Sequence, residues 1–311
     1  MKKLCSIIDH QNKSRAYREA LASAGYVFTD RLLVNGLRFI LADADWRESM
    51  MHDAAELSTP VFLYPHAARP MVQYDGCIEP KPVTAMFTQA PGGKAIMERI
   101  GYPYPVEVSG WAYCPIRDFV PRKVDRVLFA PIHPNQNGYL NEVDKDLNRR
   151  TFAKLDAWCR ETGKTLSVRF IGPAPAQSGL ADEYGRTADT ADWHQGKKNN
   201  STQDMLTADL VVSHQTFAWL AVASGIPTLM MGEDVPPRTG NTDAGFRFVD
   251  HWNDYKDDLM YPLDILDGSR STDEWIRLAS STDEPIREWR SNFIGEPFNP
   301  DSFVKILEGY L

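Results

Sequence analysis

Residues 208–240 constrain the fold of this chain more than any other stretch, because they form a complete strand–helix–strand pattern. The apolar run at residues 210–212 predicts a buried strand, and the Ala-rich residues 217–224 predict a helix that lies against a sheet. Gly225 is suited to end this helix in a left-handed conformation, and residues 228–231 predict the next strand. A helix that connects two strands in this way is typical of a parallel sheet, so we expect an α/β protein.

The turn between the first strand and the helix carries the polar residues Ser213, His214, Gln215 and Thr216. The first amides of a helix have no partner within the helix, and the helix dipole places partial positive charge beside them. Open parallel sheets bind their ligands at the carboxyl ends of the strands. The turn therefore predicts a phosphate site. A helix cap formed by Ser213 or Thr216 is compatible with the same arrangement.

The composition is that of a globular protein with one large domain or two of ordinary size, since 43% of the 311 residues are hydrophobic and 24% are charged. Residues 1–118 are electrically balanced, so the formal net charge of −8 arises in residues 119–311. No cluster of Lys or Arg stands out in the sequence, which disfavours tight nonspecific binding to nucleic acid.

The sequence also indicates a cellular setting. No apolar run reaches about eighteen residues, so no membrane span is expected. The first residues, MKKLCSIIDH, are interpreted as a strand and not as a signal peptide. The four cysteines form no CxxC pair, which favours reduced thiols in a cytoplasmic protein and disfavours a zinc site.

Strands and helices alternate in two series, separated by a break at residues 114–123 that contains Pro115 and Pro121. We therefore expect two Rossmann-like domains facing a cleft, one at residues 1–118 and one at 119–311, and leave open whether the C-terminal helix returns to the first. The predicted strands are 4–8, 26–28, 38–42, 60–64, 106–110, 127–130, 165–171, 210–212 and 228–231. The predicted helices are 15–24, 50–57, 94–100, 144–161, 202–207, 217–224 and 301–311, and residues 176–200 are expected to form a long polar loop.

Residues 208–240 also resemble the donor-binding segment of GT-B fold glycosyltransferases. The resemblance is closest to the heptosyltransferase-like branch, with weaker similarity to CDP-glycerol glycerophosphotransferases and UDP-sugar 2-epimerases. The matched positions are Ala208, Asp209, Leu210, Val211, Val212, Leu220, Ala221, Ala223, Gly225, Pro227, Thr228, Gly232, Arg238, Thr239 and Gly240. The chain departs from the pattern at His214, where the branch has Asp, and at Trp219, where it has His. The helix also lacks the carboxylate with which UDP-sugar enzymes hold the ribose.

The resemblance implies a glycosyltransferase that moves a sugar from a nucleoside-diphosphate sugar to an acceptor hydroxyl, by an inverting and metal-independent reaction. The sugar nucleotide is a co-substrate, and no other cofactor and no metal are expected. Arg238 and Thr239 stand at the family's Arg-Thr positions, and Arg238 is suited to neutralise a diphosphate. The loop after the first strand of the second domain adds candidate donor contacts at His133, Gln136, Asn137 and Gly138, although Asn137-Gly138 also suits a plain turn.

An inverting transfer needs a general base, which this fold supplies from the first domain because the acceptor binds there. Asp9, at the end of the first strand, is the first candidate, and His66, after the fourth, is the second. Asp43, Asp45 and His10 also end strands and remain in reserve.

Two alternatives stay open on the same fold: a nucleotide-sugar epimerase or hydrolase, and a noncatalytic nucleotide- or sugar-binding module. The acceptor is unknown; a saccharide, a small metabolite and a hydroxymethylated base in DNA are all open. The neutral first domain argues against DNA.

Overall fold

The computed structural model describes residues 3–8, 15–29, 36–43, 58–65, 77–78, 83–133, 140–170, 177–181, 191–196, 201–232 and 246–311. The chain is mixed α/β with two separate parallel sheets, which confirms the predicted fold class. It divides into two compact units. The first unit comprises Met1–Pro115, Val235–Met260 and Trp289–Leu311, and the second comprises Ile116–Asp234 and Tyr261–Glu288. The predicted domains are residues 1–118 and 119–311, with the return of the C-terminal helix to the first domain left open.

The first unit contains a six-stranded parallel sheet. Its strands and a short extra pair are β1 Lys3–Ile8, β2 Tyr26–Thr29, β3 Ile40–Asp43, β4 Val61–Tyr64, β5 Cys77–Ile78, β6 Val83–Thr88, β7 Val106–Val108 and β13 Phe246–Arg247. The sheet order is β2-β1-β3-β4-β6-β7, and β5 pairs antiparallel with β13. The helices are α1 Arg15–Ser23, α2 Pro91–Arg99, α6 Trp252–Leu259, α8 Arg287–Phe293 and α9 Pro300–Gly309, with a 3₁₀ turn at Phe248–His251.

Strand β6 was not predicted, although it lies between β4 and β7 in the sheet. Five of its six residues are buried, so it shows none of the alternation that marks a half-exposed strand. The predicted helix at residues 50–57 lies outside the described residues.

The C-terminal segment completes the core of the first unit. The buried ring of Phe303 in α9 lies 4.9 Å from that of Phe87 and 5.1 Å from that of Tyr17. The amide of Trp111 donates to the carbonyl oxygen of Glu296 at 2.8 Å, which fixes the segment that precedes α9. Asn299 caps α9 by accepting a 2.9 Å hydrogen bond from the Ser302 amide. The helix begins at Pro300, one residue before the predicted start at residue 301.

The second unit contains a five-stranded parallel sheet. Its strands are β8 Arg126–Ala130, β9 Thr165–Phe170, β10 Ala191–Gln195, β11 Leu210–Ser213 and β12 Thr228–Met230, in the order β10-β9-β8-β11-β12. Its helices are α3 Glu142–Thr162, α4 Ser201–Leu206, α5 Gln215–Ala223 and α7 Thr272–Ser281, with a 3₁₀ turn at Glu284–Ile286. Strand β10 corrects the prediction that residues 176–200 form one loop, since it pairs with β9 in parallel register.

Both sheets reverse their strand order at one point. In the second unit, the chain proceeds from β8 outward to β9 and β10 on one side, then continues with β11 and β12 on the other. In the first unit, the equivalent point lies between β1 and β3. Open α/β sheets bind ligands beyond the carboxyl ends of the strands that flank such a point. By this rule, a ligand of the second sheet would lie beside the residues that follow β8 and β11.

Part of the predicted linker packs along the second unit. The Arg117 amide donates to the carbonyl oxygen of Ala223 at 2.9 Å, and the Arg122 guanidinium donates to that of Ala208 at 2.7 Å. Gly225 follows α5 with φ +71°, and a Cβ atom at this position would overlap the carbonyl oxygen of Asp118. Gly225 is thus required both by its left-handed backbone and by the chain that crosses it.

Candidate donor site at the carboxyl edge of the second sheet

Ser213 joins the ends of the two central strands. It is the last residue of β11, it is buried, and its hydroxyl donates a 2.8 Å hydrogen bond to the carbonyl oxygen of Ala130, the last residue of β8. This bond uses its only proton, so Ser213 positions the turn and cannot also donate a hydrogen bond to a bound phosphate. Other groups of the turn must therefore donate the hydrogen bonds to a bound phosphate.

Helix α5 begins immediately after this bond. His214 is its N-cap residue, with extended φ −119° and ψ 146°, and the His214 side chain makes no capping hydrogen bond. His214, and neither Ser213 nor Thr216, occupies the capping position. The amides of Gln215, Thr216 and Phe217 belong to the first turn, whose N–H groups have no acceptor within a helix. This turn holds no Asp or Glu that would compete with an anion.

Asn148 holds the loop after β8. Its side chain is fully buried in α3, accepts from the Ile132 amide at 2.8 Å and donates to the Ile132 carbonyl oxygen at 2.9 Å. It also donates to the carbonyl oxygen of Ser178 at 2.9 Å, so one side chain fixes two loops. His133 follows directly and is exposed. Sequence reasoning missed Asn148, and the signal was a polar residue on the apolar face of a long helix, beside Leu147.

Asp264 holds the turn after β12. The Gly232 amide lies 3.1 Å from both carboxylate oxygens, and the Leu266 amide donates to one of them at 2.8 Å. Burial raises the pKa of the Asp264 carboxyl above its usual value, and these backbone hydrogen bonds oppose that shift. The segment that contains Arg238 and Thr239 continues from Gly232 but lies outside the described residues.

The predicted donor residues that are described fall into two groups on neighbouring strands. His133 follows β8, whereas Ser213, His214, Gln215 and Thr216 end β11 and begin α5. His214 and Thr216 are partly exposed, and only the backbone of Gln215 is described. The following predicted site residues lie outside the described residues: Asp9, His66, Gln136, Asn137, Gly138, Arg238 and Thr239.

The described part of the chain holds no group of three or more His, Cys, Asp or Glu side chains arranged to bind a metal ion. None of the helices within the described ranges has both the length and the apolar character that crossing a membrane requires.

No protein-family model matches the chain, and no curated protein matches it. Solved structures do match. UDP-GlcNAc 2-epimerase from Methanocaldococcus jannaschii superimposes with a TM-score of 0.54 at 11% identity, over 98% of this chain and 99% of the epimerase. MurG from Acinetobacter baumannii superimposes with a TM-score of 0.50 at 9% identity, over 99% of both chains. The S. aureus TarM structure gives a TM-score of 0.45 at 9% identity and extends further, since the match covers 87% of this chain and 55% of TarM. At such identities the likeness concerns the fold, and this chain has the GT-B fold of two Rossmann-like units that its sequence predicts.

Proposed function

We propose that this protein is a glycosyltransferase that moves a sugar from a nucleoside-diphosphate sugar to an acceptor hydroxyl. One observation carries the proposal: the first turn of α5 stands at the carboxyl end of β11, where the strand order of the second sheet reverses. Such a turn presents unbonded amides and the positive end of a helix dipole, which together bind phosphate groups. The resemblance of residues 208–240 to a donor-binding segment supports the same position.

In the proposed reaction, negative charge grows on the diphosphate as the sugar leaves. Amides fixed in the α5 turn stabilise that charge without reorganising, which is the usual source of electrostatic catalysis. The Thr216 hydroxyl donates a hydrogen bond to the diphosphate, and Arg238 adds a positive charge. These two groups neutralise the leaving group, a role that a metal ion has in other transferases. The acceptor hydroxyl loses its proton to a base of the first unit as it attacks the sugar.

Asp9 is the preferred base and His66 the second choice. Asp9 follows β1, one of the two strands at the reversal point of the first sheet, and His66 comes two residues after the end of β4. The Asp9→Asn and His66→Ala variants test the assignment. The variant that lacks the true base should lose turnover by at least about a hundredfold while it retains nucleotide affinity. A loss of nucleotide affinity instead would place the residue in the donor site.

Donor binding is tested by titrating the protein with UDP, ADP, GDP and CDP in a calorimeter. The Thr216→Glu variant places a carboxylate in the first turn of α5, where it should repel the diphosphate and abolish binding without destabilising the helix. Thr272→Glu is the matched control, because Thr272 is the first residue of a different helix, α7. The next residue, Asp273, accepts a hydrogen bond from Trp158 near the C-terminal end of α3, whereas the candidate site lies near Asn148 in the first half of that helix. Failure of the wild-type protein to bind any of the four nucleotides would contradict the proposal.

Turnover is tested by incubating sugar nucleotides with a panel of saccharides, small metabolites and hydroxymethylated DNA, with products read by mass spectrometry. A sugar-mass increase on one acceptor class supports a transferase. A new or free sugar formed from the donor alone identifies an epimerase or hydrolase instead. Tight binding with no product in any arm identifies a noncatalytic module.

A further inference from the structure

Arg169 occupies a position on the second sheet where an apolar residue is expected. Ser167 lies opposite Leu128 in the register of β9 and β8, and Arg169 shares the face of Ser167 because side chains alternate along a strand. Leu128 packs there against an apolar cluster that includes Phe217 of α5. The Arg169 side chain has no exposed surface. An arginine is almost never buried so completely unless its partners fix it.

Residues of three segments contact the guanidinium. Its Nε donates to the Asp204 carboxylate in α4 at 2.5 Å, and its Nη2 donates to the Ser201 hydroxyl at 3.4 Å. A Cβ atom on Gly196, which follows β10, would lie 2.5 Å from Cζ, so the guanidinium rests directly on the glycine backbone. On α5, the Phe217 ring centroid lies 4.8 Å from Cζ. The arginine therefore connects β9, α4 and the end of β10 to the third residue of α5.

This connection reaches the candidate phosphate turn, because the Phe217 amide is one of the first-turn amides. Arg169 cannot touch a ligand itself, since it is buried and its charge is paired with Asp204. We propose that Arg169 is a positioning residue: it fixes the first turn of α5 through Phe217 and thereby sets the affinity of the second unit for a nucleoside diphosphate. This inference rests on the proposed function.

The test measures the affinity for whichever of UDP, ADP, GDP or CDP binds the wild-type protein. Arg169→Lys, Gly196→Ala and Phe217→Leu each disturb the stack in a different way, and Gly196→Ala does so while both the arginine and the ring remain. Each should weaken binding by roughly tenfold, the scale of one cation–π contact.

Val127→Ala provides the control for general loss of stability, because Val127 is fully buried near the amino end of β8, away from the turn. Its affinity should match the wild type even where its melting temperature falls as far as that of the Arg169 variant. If the wild type binds a nucleotide and all three stack variants bind it equally well, the role of Arg169 is refuted while the proposed function stands. An equal loss in Val127→Ala also refutes it. If the wild type binds none of the four nucleotides, both proposals fail.

Discussion

The hydroxyl of Ser213 and the carbonyl oxygen of Ala130 form a 2.8 Å hydrogen bond between the last residues of β11 and β8. Because these strands flank the reversal point of the second sheet, the bond sets the separation of the two segments that follow them. One of these segments leads to His133 and the other begins α5. A single buried hydroxyl thus aligns both halves of the candidate donor site.

Replacing Ser213 with alanine should lower the free energy of unfolding by about 1–3 kcal/mol, because the buried carbonyl oxygen of Ala130 loses its side-chain donor. Urea unfolding followed by tryptophan fluorescence measures the change. Ser6→Ala is the matched control, since Ser6 is a buried strand serine whose hydroxyl has no hydrogen-bond partner among the described residues. Equal stabilities for the two variants would contradict the prediction.

Gly225→Ala should destabilise the protein more than Gly163→Ala. Both glycines have positive φ, +71° and +67°, but a Cβ atom on Gly163 meets nothing within 4 Å, whereas one on Gly225 overlaps Asp118. We expect Gly163→Ala to cost about 1–2 kcal/mol of unfolding free energy from its backbone alone. Gly225→Ala should lower the free energy of unfolding by about 1 kcal/mol more than Gly163→Ala does, because the backbone at Asp118 must move away from the new methyl group. Denaturant unfolding of both variants measures the difference. Identical midpoints would show that the close approach of Asp118 to Gly225 contributes nothing.

Phe303→Ala should cost about 3–5 kcal/mol, because it removes a fully buried ring that packs on Phe87 and Tyr17. Lys305→Ala, on the exposed side of the same helix, should change stability by no more than about 0.5 kcal/mol. Calorimetric unfolding of the two variants measures the difference. A Phe303 variant as stable as the Lys305 variant would exclude α9 from the core of the first unit.

Glu308 should make the first unit sensitive to acid. Lys3 at 2.7 Å and the Tyr26 hydroxyl at 3.0 Å hold the pKa of the Glu308 carboxyl below its usual 4.5. A lowered folded-state pKa adds stability above pH 4.5, and this stability is lost as the pH falls through the folded-state pKa. Since both charged side chains are more than a third exposed, the gain is about 1 kcal/mol or less.

Unfolding of the wild type and of Glu308→Gln, compared from pH 7 to pH 3 at low salt, tests this prediction. The wild type should be the more stable at pH 7, and the difference should vanish at acid pH. A difference that does not shrink as the pH falls would mean that the carboxylate charge is not its source.

The strand–helix–strand unit at residues 210–230 was predictable because its signals are local: an apolar run, an Ala-rich helix and a glycine at the helix end. Strand β6 was missed because a strand buried on both faces loses the alternation that would identify it. Strand β10 was missed for the opposite reason, since Asp192, His194 and Gln195 make an edge strand resemble a polar loop.

The residues that position the candidate site were harder to predict, because their partners are distant in sequence. Asn148 binds Ile132 across 16 residues, and Arg169 pairs with Asp204 across 35. An arginine within the predicted strand at residues 165–171 indicates that Arg169 needs a partner, but nothing in the sequence identifies that partner as Asp204. The predicted contacts at His133 and Thr216 depend instead on the order of the strands, which a βα pattern does not determine.

The path of the chain also has a consequence for biosynthesis. The first unit starts with β1 but needs Phe303, in the last helix, to fill its core, whereas the second unit ends at Glu288. On the ribosome, the unit that emerges first is therefore the one completed last. Until α9 emerges, the nascent polypeptide exposes the apolar surface around Tyr17 and Phe87, the kind of surface that chaperones bind.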